Sequence, residues 1–369
     1  MTPLRIVHTE SSLGWGGQEI RILAESQGLI RRGHALMLLC PHEARIYAEA
    51  TNWGVPVTAL PIAKKRLAGV RALREWFRAN PRDVVCTHSS TDSWLAALAL
   101  VALGQPRRLV RMRHISAAVP RGPLSRWLYM RAADRVITTG EALRRALVEV
   151  NGFDPARIES VPTGMDAGRF RPGDKRASRA RFGLPQERTL VGIVATLRDW
   201  KGHEYLLEAL ARLPGSVELV VVGDGPVRGA VEAHIDRLRL RGRVHMQGEQ
   251  SDVLPWLRAL DLFALPSYAN EGVPQALLQA MLVELPCVTT NVGAIPEIAE
   301  HERTALVVPP RNADALAAAI ARLAADEGLR RELGEAARKR CIEGYSYSRM
   351  LERMEAIYAG GALAHAGQA

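Results

Sequence analysis

Residues 262–282 have the sequence LFALPSYANEGVPQALLQAML, in which three local patterns follow one another. Residues 262–265 form a short apolar run, which is typical of a buried parallel strand. A polar loop follows, and an apolar helical pattern begins near Pro274, where proline suits the first turn of a helix. A strand, a loop and a helix in this order make one β-α unit.

The same unit recurs through both halves of the chain. In the first half, strands are predicted at residues 4–8, 35–40, 84–87, 108–112 and 135–139, and helices at 18–32, 66–78, 92–103 and 141–151. In the second half, strands are predicted at 190–194, 217–222, 244–247, 262–265, 287–290 and 305–308, and helices at 204–212, 227–238, 253–260, 276–282, 313–324 and 328–342. Two series of such units predict an α/β protein with two facing, doubly wound, Rossmann-like domains. We expect an interdomain cleft, lined by the loops that follow the strands.

The chain of 369 residues has the length of two domains, and residues 171–185, rich in proline, glycine and charge, are the predicted linker. The predicted domains are residues 1–170 and 171–346. The net charge of +10 is uneven: residues 1–171 carry 25 Lys and Arg against 14 Asp and Glu, and residues 172–369 carry 24 against 25. This asymmetry indicates an anionic partner for the first half.

Several classes of protein are disfavoured by composition. The first twelve residues, MTPLRIVHTESS, lack the pattern of a signal peptide, and the longest apolar run, residues 94–103, is half the length of a bilayer span. We therefore expect a cytoplasmic protein. The four cysteines lack CxxC spacing and are predicted to be buried thiols. No Asp-x-Asp pair or Cys/His cluster occurs, so no metal site is predicted.

Glycine-rich or cationic segments follow three of the predicted strands. Gly14-Trp15-Gly16-Gly17 follows the first strand and suits either close approach to an anion at a helix N-terminus or a tight turn. Arg198 and Lys201 precede a helix and suit a diphosphate, although a solvated loop has the same composition. The turn with Gly223 and Gly225 suits either a nucleotide or an ordinary strand exit.

The segment quoted first is the most specific. Its helix presents unpaired backbone N–H groups and the positive end of the helix dipole, which suit phosphate. Glu271 stands just before the helix and Gln279 about two turns inside it. A carboxylate for sugar hydroxyls, N–H groups for phosphate and an amide for ribose together suit a sugar nucleotide. The alternative is a capped helix with Glu271 near its dipole.

His114 follows Arg111 and Arg113 at the end of a first-half strand. Such a histidine suits an anion or a sugar hydroxyl, whereas a lone histidine is more often structural.

Taken together, these motifs resemble the family 4 retaining glycosyltransferases, which have the GT-B fold. The resemblance covers nearly the whole chain and is densest from residue 158 to 310. Its elements, in chain order, are Gly16-Gly17, His114, Pro162-Thr163-Gly164-Met165-Asp166 with Phe170, Leu197 with Lys201-Gly202, Gly223-Asp224-Gly225-Pro226, Asp261 before Leu265-Pro266-Ser267, Glu271-Gly272, and Val292-Gly293-Ala294-Ile295-Pro296-Glu297.

The resemblance implies a retaining, metal-independent hexosyltransferase that needs no cofactor. Its donor would be a nucleotide diphosphate sugar held by the second domain, either UDP-linked or GDP-linked, with UDP slightly favoured. Its acceptor would be a glycan or lipid-linked glycan held by the first domain, in lipopolysaccharide or exopolysaccharide synthesis. A helix at residues 347–365 would return to the first domain.

The resemblance also implies roles for single residues. Lys201 would bind the diphosphate, Glu271 would contact the donor sugar and His114 the transferred sugar. Gly16 and Gly17 would approach phosphates or acceptor. The phosphate would be held by backbone amides of Gly272, Val273, Pro274, Gln275, Ala276 and Leu277.

The chain departs from the family pattern at two positions. Thr196 stands where the family usually has Arg, so Arg198 is the candidate replacement. Gln279 stands where the family commonly has a second Glu, and an amide can still bond ribose hydroxyls.

The basic residues of the first half leave two interpretations open. Residues 64–78 and 126–131 are basic and amphipathic, which suits peripheral contact with the inner membrane face or ordinary surface helices. Nucleic acid is disfavoured because no recognition motif accompanies the charge.

The alternatives to a transferase are another GT-B enzyme, such as a nucleotide-sugar epimerase or a phosphorylase, and a non-enzymatic two-domain ligand-binding protein.

Overall fold

The computed structural model describes residues 2–104 and 108–360, which divide into two compact units. The first unit comprises the chain up to Thr163 and from Ser348 onward, and the second comprises Gly164–Tyr347. The prediction placed this boundary after residue 170. Residues 164–170 join the second unit because the Met165 N–H donates to Tyr345 O at 2.8 Å and the Arg338 guanidinium donates to Phe170 O at 3.0 Å.

The first unit is built on a sheet of seven parallel strands. Their order across the sheet is β3-β2-β1-β4-β5-β6-β7. The strands are β1 (Arg5–Thr9), β2 (Ala35–Cys40), β3 (Val57–Ala59), β4 (Val84–Thr87), β5 (Arg108–Arg113), β6 (Arg135–Thr138) and β7 (Ile158–Ser160). The helices between them are α1 (Gly17–Arg31), α2 (Arg45–Asn52), α3 (Leu67–Ala79), α4 (Ser90–Val101), α5 (Pro123–Trp127) and α6 (Glu141–Glu149).

The second unit repeats this plan with six parallel strands in the order β10-β9-β8-β11-β12-β13. The strands are β8 (Thr189–Val194), β9 (Val217–Val222), β10 (Val244–Met246), β11 (Leu262–Leu265), β12 (Cys287–Thr290) and β13 (Leu306–Val308). The helices are α7 (Lys175–Phe182), α8 (His203–Arg212), α9 (Arg228–Arg237), α10 (Leu254–Ala259), α11 (Gln275–Leu282), α12 (Ala313–Ala325) and α13 (Glu327–Gly344). The fold class was therefore predicted correctly: the chain has two Rossmann-like α/β domains.

A further helix, α14 (Tyr347–Tyr358), belongs to the first unit from Ser348 onward. Its Glu355 carboxylate accepts from Arg32 at 2.5 Å and contacts the His34 ring at 2.9 Å. The Tyr358 hydroxyl donates to Glu25 at 2.7 Å in the interior of the unit. Of the helix predicted over 347–365, the part after residue 360 lies outside the described residues.

The predicted linker at 171–185 is wrong in part because it contains α7. This helix begins at Asp174, whose side chain accepts from the Ala177 N–H and caps the first turn. It ends at Gly183, which adopts the left-handed conformation with φ of 63°. The Arg179 guanidinium donates to Asp261 at 2.5 Å, so the segment is fixed on its own unit.

Each sheet is buried by helices on its faces, as parallel sheets require. Leu73 and Phe77 of α3 are 0% and 1% exposed and pack in the core of the first unit. The apolar side of this basic helix therefore faces the protein interior. All four cysteines are free and buried, as predicted. Within residues 2–104 and 108–360, no helix has the length and hydropathy of a membrane span.

Candidate functional site

The order of strands marks one place in each sheet where a ligand is expected. In doubly wound sheets, ligands bind beyond the carboxyl ends of the strands where the direction of winding reverses. In the second unit the reversal lies between β8 and β11, and the loops that follow these strands carry Lys201 and Glu271. In the first unit it lies between β1 and β4, whose following loops begin at Glu10 and His88.

Lys201 and Glu271 form a buried ion pair in the second unit. Nζ of Lys201 lies 2.6 Å from Oε1 of Glu271, and their side chains are 19% and 5% exposed. The Ser267 hydroxyl donates to the same carboxylate oxygen at 2.6 Å, and the Thr290 hydroxyl donates to Ser267 O at 2.5 Å. The loops after β8 and β11 thus meet at one carboxylate, and the last residue of β12 bonds the loop after β11.

Two glycines permit this arrangement by allowing backbones to approach. Gly202 has φ of +74°, and a Cβ there would lie 2.2 Å from Pro266 O. Gly293 has φ of +59°, and a Cβ there would lie 2.2 Å from Glu271 O. Both need glycine for conformation and for space. Asn270, directly before Glu271, also has a positive φ of 58°, which asparagine tolerates better than most residues.

His203 lies beside Lys201 at the start of α8 and is 4% exposed. Neither of its ring nitrogens has a hydrogen-bond partner among residues 2–104 and 108–360. Burial, and secondly the charge of Lys201, lower its pKa to about 4. His203 is therefore a neutral ring at neutral pH.

The structure does not join every predicted donor residue to the Lys201–Glu271 pair. Arg198 is exposed, and its guanidinium lies 5.2 Å from the centre of the Trp200 ring. Gly223 and Gly225 allow the loop after β9 to lie against the loop after β8. A Cβ at Gly223 would lie 2.0 Å from Ala195 O, and a Cβ at Gly225 would lie 2.4 Å from Leu197 O. The proposed contacts of these residues with donor remain predictions.

The loop before α11 and the first turn of this helix carry the residues that were predicted to hold phosphate. α11 begins at Gln275 with Pro274 as its N-cap, and Leu278 N–H is bonded to Pro274 O. Pro274 has no N–H, so the predicted row of amides is interrupted there. Gly272, Val273 and Pro274 are buried, as is Leu277, while Gln275, Ala276 and Gln279 are half-buried. Contact of these groups with a nucleotide remains a prediction.

The first unit gathers buried acids where its winding reverses. Glu10 is 0% exposed and accepts from Ser12 N–H at 2.7 Å and from the Ser89 hydroxyl at 2.5 Å. Asp92 is equally buried and accepts from the Ser89 and His88 N–H groups at 2.8 and 2.9 Å, so it caps α4. Burial, and then Glu10, raise the pKa of Asp92 to about 7.

Glu19, in the first turn of α1, has a similar environment. Burial, and secondly the charge of Glu10, raise its pKa to about 7. Gly16 precedes α1 in an extended conformation that any residue adopts, and Gly17 is exposed at the first helical position. The two glycines therefore lie next to these buried acids in the chain, and their contact with phosphate or acceptor remains a prediction.

His114 is half-buried just after β5 and is not a lone histidine. Its Nε2 lies 3.0 Å from Nδ1 of His88, and Nε2 of His88 lies 2.8 Å from Nδ1 of His8. Burial lowers the pKa of all three rings, most strongly for His88 and His114. We call these three residues the histidine row.

Sequence reasoning missed His8, His88, Glu10 and Asp92. Their signal was their position: each stands at or just after the carboxyl end of β1 or β4, or in the helix that follows. Reaching them required the strand order, which places β1 beside β4 although the two are separated by β2 and β3 in the chain.

Comparisons with known proteins identify the family to which the chain belongs. The family model described as "Glycosyltransferase Family 4" matches residues 15–169, and the one described as "Glycosyl transferases group 1" matches residues 174–340. The D-inositol 3-phosphate glycosyltransferase of Mycobacterium tuberculosis (strain ATCC 25618 / H37Rv) is 37% identical over 176 residues, which are 44% of this chain and 35% of that protein. The matched part thus spans about a third of that relative's length.

Solved structures match over nearly the whole chain. Anabaena Alr3699/HepE in complex with UDP and glucose has a TM-score of 0.87 at 21% identity, covering 96% of this chain and 99% of that one. WaaG, a glycosyltransferase involved in lipopolysaccharide biosynthesis, has a TM-score of 0.75 at 19% identity, covering 96% and 100%. With two Rossmann-like units and both family models matched in order, the chain belongs to the family 4 glycosyltransferases of the GT-B fold.

Proposed function

We propose that this glycosyltransferase moves a hexose from a UDP-sugar to a hydroxyl of a cell-surface glycan, with retention at the anomeric carbon and without a metal or cofactor. The observation that carries the proposal is the buried Lys201–Glu271 pair at the winding reversal of the second sheet. A site that holds a cation and a carboxylate side by side suits a ligand with an anionic diphosphate next to a polyhydroxylated sugar.

The donor is proposed to bind the second unit. Lys201 and the N–H groups at the start of α11 would meet the negative charge that grows on the leaving diphosphate. Glu271 would accept hydrogen bonds from sugar hydroxyls. The chain has no Asp-x-Asp pair for a divalent cation, which favours protein groups in that role. UDP is favoured over GDP because the solved neighbour Alr3699/HepE was obtained with UDP and glucose.

The acceptor is proposed to bind the first unit, where buried acids stand at the winding reversal of that sheet. His114, which follows the neighbouring strand β5, would contact the transferred sugar. For retention, the acceptor hydroxyl would attack the anomeric carbon on the face from which the diphosphate departs. The leaving phosphate oxygen would take the hydroxyl proton, so a strong protein base is not required.

We further propose that the acceptor belongs to a lipopolysaccharide or exopolysaccharide at the cytoplasmic face of the inner membrane. Support comes from the likeness to WaaG and from the exposed basic residues of the first unit, among them Lys64, Lys65, Arg71 and Arg78. Because the apolar side of α3 is buried, membrane contact would be electrostatic and not an insertion of this helix. Co-sedimentation with anionic vesicles at low salt, and none with neutral vesicles, is expected.

The experiment that tests the donor proposal is a thermal melt with UDP, GDP or NAD⁺ in EDTA, followed by turnover of UDP-hexoses with product stereochemistry assigned. A ligand at about 100 times its Kd stabilises the folded state by about 2.7 kcal/mol. A shift with UDP alone, and release of UDP in EDTA, are expected. Loss of activity in EDTA that Mg²⁺ restores would contradict metal independence.

Absence of any nucleotide shift would favour a different class of ligand. An epimerase or phosphorylase would bind the nucleotide or sugar without transfer to a glycan acceptor, and the turnover assay separates these cases. A non-enzymatic binding protein would show a shift and no turnover with any acceptor.

A further inference from the structure

The histidine row does not end at His8. Nε2 of His8 lies 3.9 Å from Oε1 of Glu25, and both side chains are 0% exposed. The Glu25 carboxylate also accepts from the Tyr358 hydroxyl at 2.7 Å and lies 3.5 Å from Nε of Arg21. A buried ion pair therefore stands at one end of three connected imidazoles, and His114 stands at the other.

Each neutral imidazole carries one proton, so a row of hydrogen-bonded rings has only two proton arrangements. In one, every ring donates from Nε2, the His8 N–H points at Glu25, and His114 keeps a bare Nδ1. In the other, every ring donates from Nδ1, the bare His8 Nε2 faces the carboxylate, and His114 carries a proton on Nδ1. Burial, which lowers the pKa of each ring, keeps the row neutral.

Electrostatics select between the two arrangements. A carboxylate 3.9 Å from a ring nitrogen attracts an N–H and repels a lone pair, and in a buried site this preference is not screened by water. The opposing charge of Arg21 acts on His8 less strongly than Glu25 does. The carboxylate therefore favours the arrangement in which every ring donates from Nε2.

We propose that Glu25 fixes the tautomer of His114 through His8 and His88, so that His114 offers the lone pair of Nδ1 to a substrate hydroxyl. Glu25, His8 and His88 are positioning residues in this scheme. The proposal rests on the proposed function, which places His114 against the sugar. It deepens that role by stating that His114 accepts a hydrogen bond from the substrate and donates its own to His88.

A metal site is the other use these residues suggest. The Cys86 thiol and the rings of His8 and His88 offer three ligand atoms within 4.8 Å of one another. However, the 2.8 Å between the His8 and His88 nitrogens is a hydrogen-bond distance. Two nitrogens on a tetrahedral zinc lie about 3.3 Å apart, from Zn–N bonds of about 2.0–2.1 Å. The observed geometry is that of hydrogen bonds between the rings.

The test is long-range ¹H–¹⁵N NMR of the full chain labelled with ¹⁵N-histidine, which reports the protonated nitrogen of each ring. In the wild type, a proton on Nε2 and a bare Nδ1 are expected for His8, His88 and His114. Glu25→Gln removes the charge that selects this arrangement, so a mixture of the two tautomers is expected at His114. His88→Phe keeps a ring of similar size and breaks the row, and again a mixture is expected at His114.

Glu355→Gln is the matched control, because Glu355 pairs with the buried His34 at 2.9 Å in the same unit, apart from the histidine row. It should leave the His114 signal unchanged. A proton on Nδ1 of His114 in the wild type, or an unchanged His114 tautomer in both Glu25→Gln and His88→Phe, would overturn the proposal.

Kinetics provide the second readout. A misdirected hydrogen bond costs about 1.4 kcal/mol, so kcat should fall about tenfold in Glu25→Gln and His88→Phe, with KM for the UDP-sugar within twofold. An unchanged kcat in both variants would overturn the role toward substrate. If no UDP-hexose is turned over by the wild type while the tautomer still follows Glu25, the proposed function fails and the tautomer assignment stands.

Discussion

The ammonium of Lys201 lies 2.6 Å from the Glu271 carboxylate, although the two residues are 70 positions apart in the chain. The two partners differ in burial, because the Glu271 side chain is 5% exposed and that of Lys201 is 19% exposed. Removing either partner should therefore have a different effect on the folded state.

Lys201→Met is expected to destabilise the second unit more than Glu271→Gln does. The first change leaves a buried carboxylate without its cation, at a cost of about 3 kcal/mol in the free energy of unfolding. The second leaves Lys201 partly in water and keeps an oxygen that accepts from Ser267, at about 1 kcal/mol. Urea unfolding measures both. The double variant should recover part of the loss, and equal single-variant losses would contradict this account.

Variants of the same two residues should also differ in which step of the reaction they impair. Glu271→Ala should lower turnover by orders of magnitude and leave the thermal shift with UDP, because the carboxylate is assigned to the sugar. Lys201→Met should weaken UDP binding about 10- to 100-fold, because it removes one charge-assisted contact that contributes about 1.5–3 kcal/mol. Near-normal turnover of Glu271→Ala would be incompatible with its assigned role.

Gly202→Ala is expected to be destabilising by at least about 2 kcal/mol and to weaken UDP binding. A side chain at φ of +74° is strained, and its Cβ would lie 2.2 Å from Pro266 O, which forces apart the loops that carry Lys201 and Glu271. Gly215→Ala is the matched control, because a Cβ there meets nothing within 4 Å. Thermal melts with and without UDP measure both effects, and similar losses in the two variants would refute the explanation.

His203 should make the second unit less stable in acid. Its pKa is lowered from 6.5 to about 4, so between these values the unfolded chain binds a proton that the folded chain does not. Stability is therefore lost as pH falls below 6.5, by about 2 kcal/mol at pH 5 from this residue. Between pH 7.5 and 5, the free energy of unfolding measured with urea should decrease by about 2 kcal/mol less in His203→Gln than in the wild type. Parallel pH profiles of stability for the two proteins would contradict this effect of His203.

Glu19 should have the opposite pH dependence. Its pKa is raised from 4.5 to about 7, so the folded chain holds a proton that the unfolded chain has released. Its contribution to stability falls as pH rises from 4.5 to 7. Glu19→Gln should therefore gain about 2.5 kcal/mol in the free energy of unfolding relative to the wild type between pH 5 and pH 8. A difference between the two proteins that stays constant across this range would contradict the assigned burial.

The strand pattern predicted most of the fold because parallel strands buried on both faces are continuous apolar runs. β2, β4, β9 and β11 have the predicted bounds. The short strands β3 and β7 were missed because Thr58 in the first and Glu159-Ser160 in the second leave no continuous apolar run. α7 was missed because its charged residues resemble a linker, and its stability depends on the Asp174 cap and the Arg179–Asp261 contact.

The candidate site was predictable where a motif is continuous in the chain. Glu271 and Lys201 were singled out from their local sequences, but their mutual contact, with Ser267 and Thr290, depends on the order of β8, β11 and β12. His8 and Glu25 belong to no recognisable sequence motif, because one lies near the end of an ordinary strand and the other on the buried side of α1.

The return of α14 to the first unit has a consequence for biosynthesis. The ribosome completes the whole second unit before it makes Tyr358, whose hydroxyl bonds Glu25 in the first unit at 2.7 Å. The inserted unit can thus fold during translation while the surrounding one still lacks a helix. Until that helix is made, Glu25 lacks the hydrogen bond from Tyr358, so the buried environment at this end of the histidine row is completed only after the second unit has been synthesised.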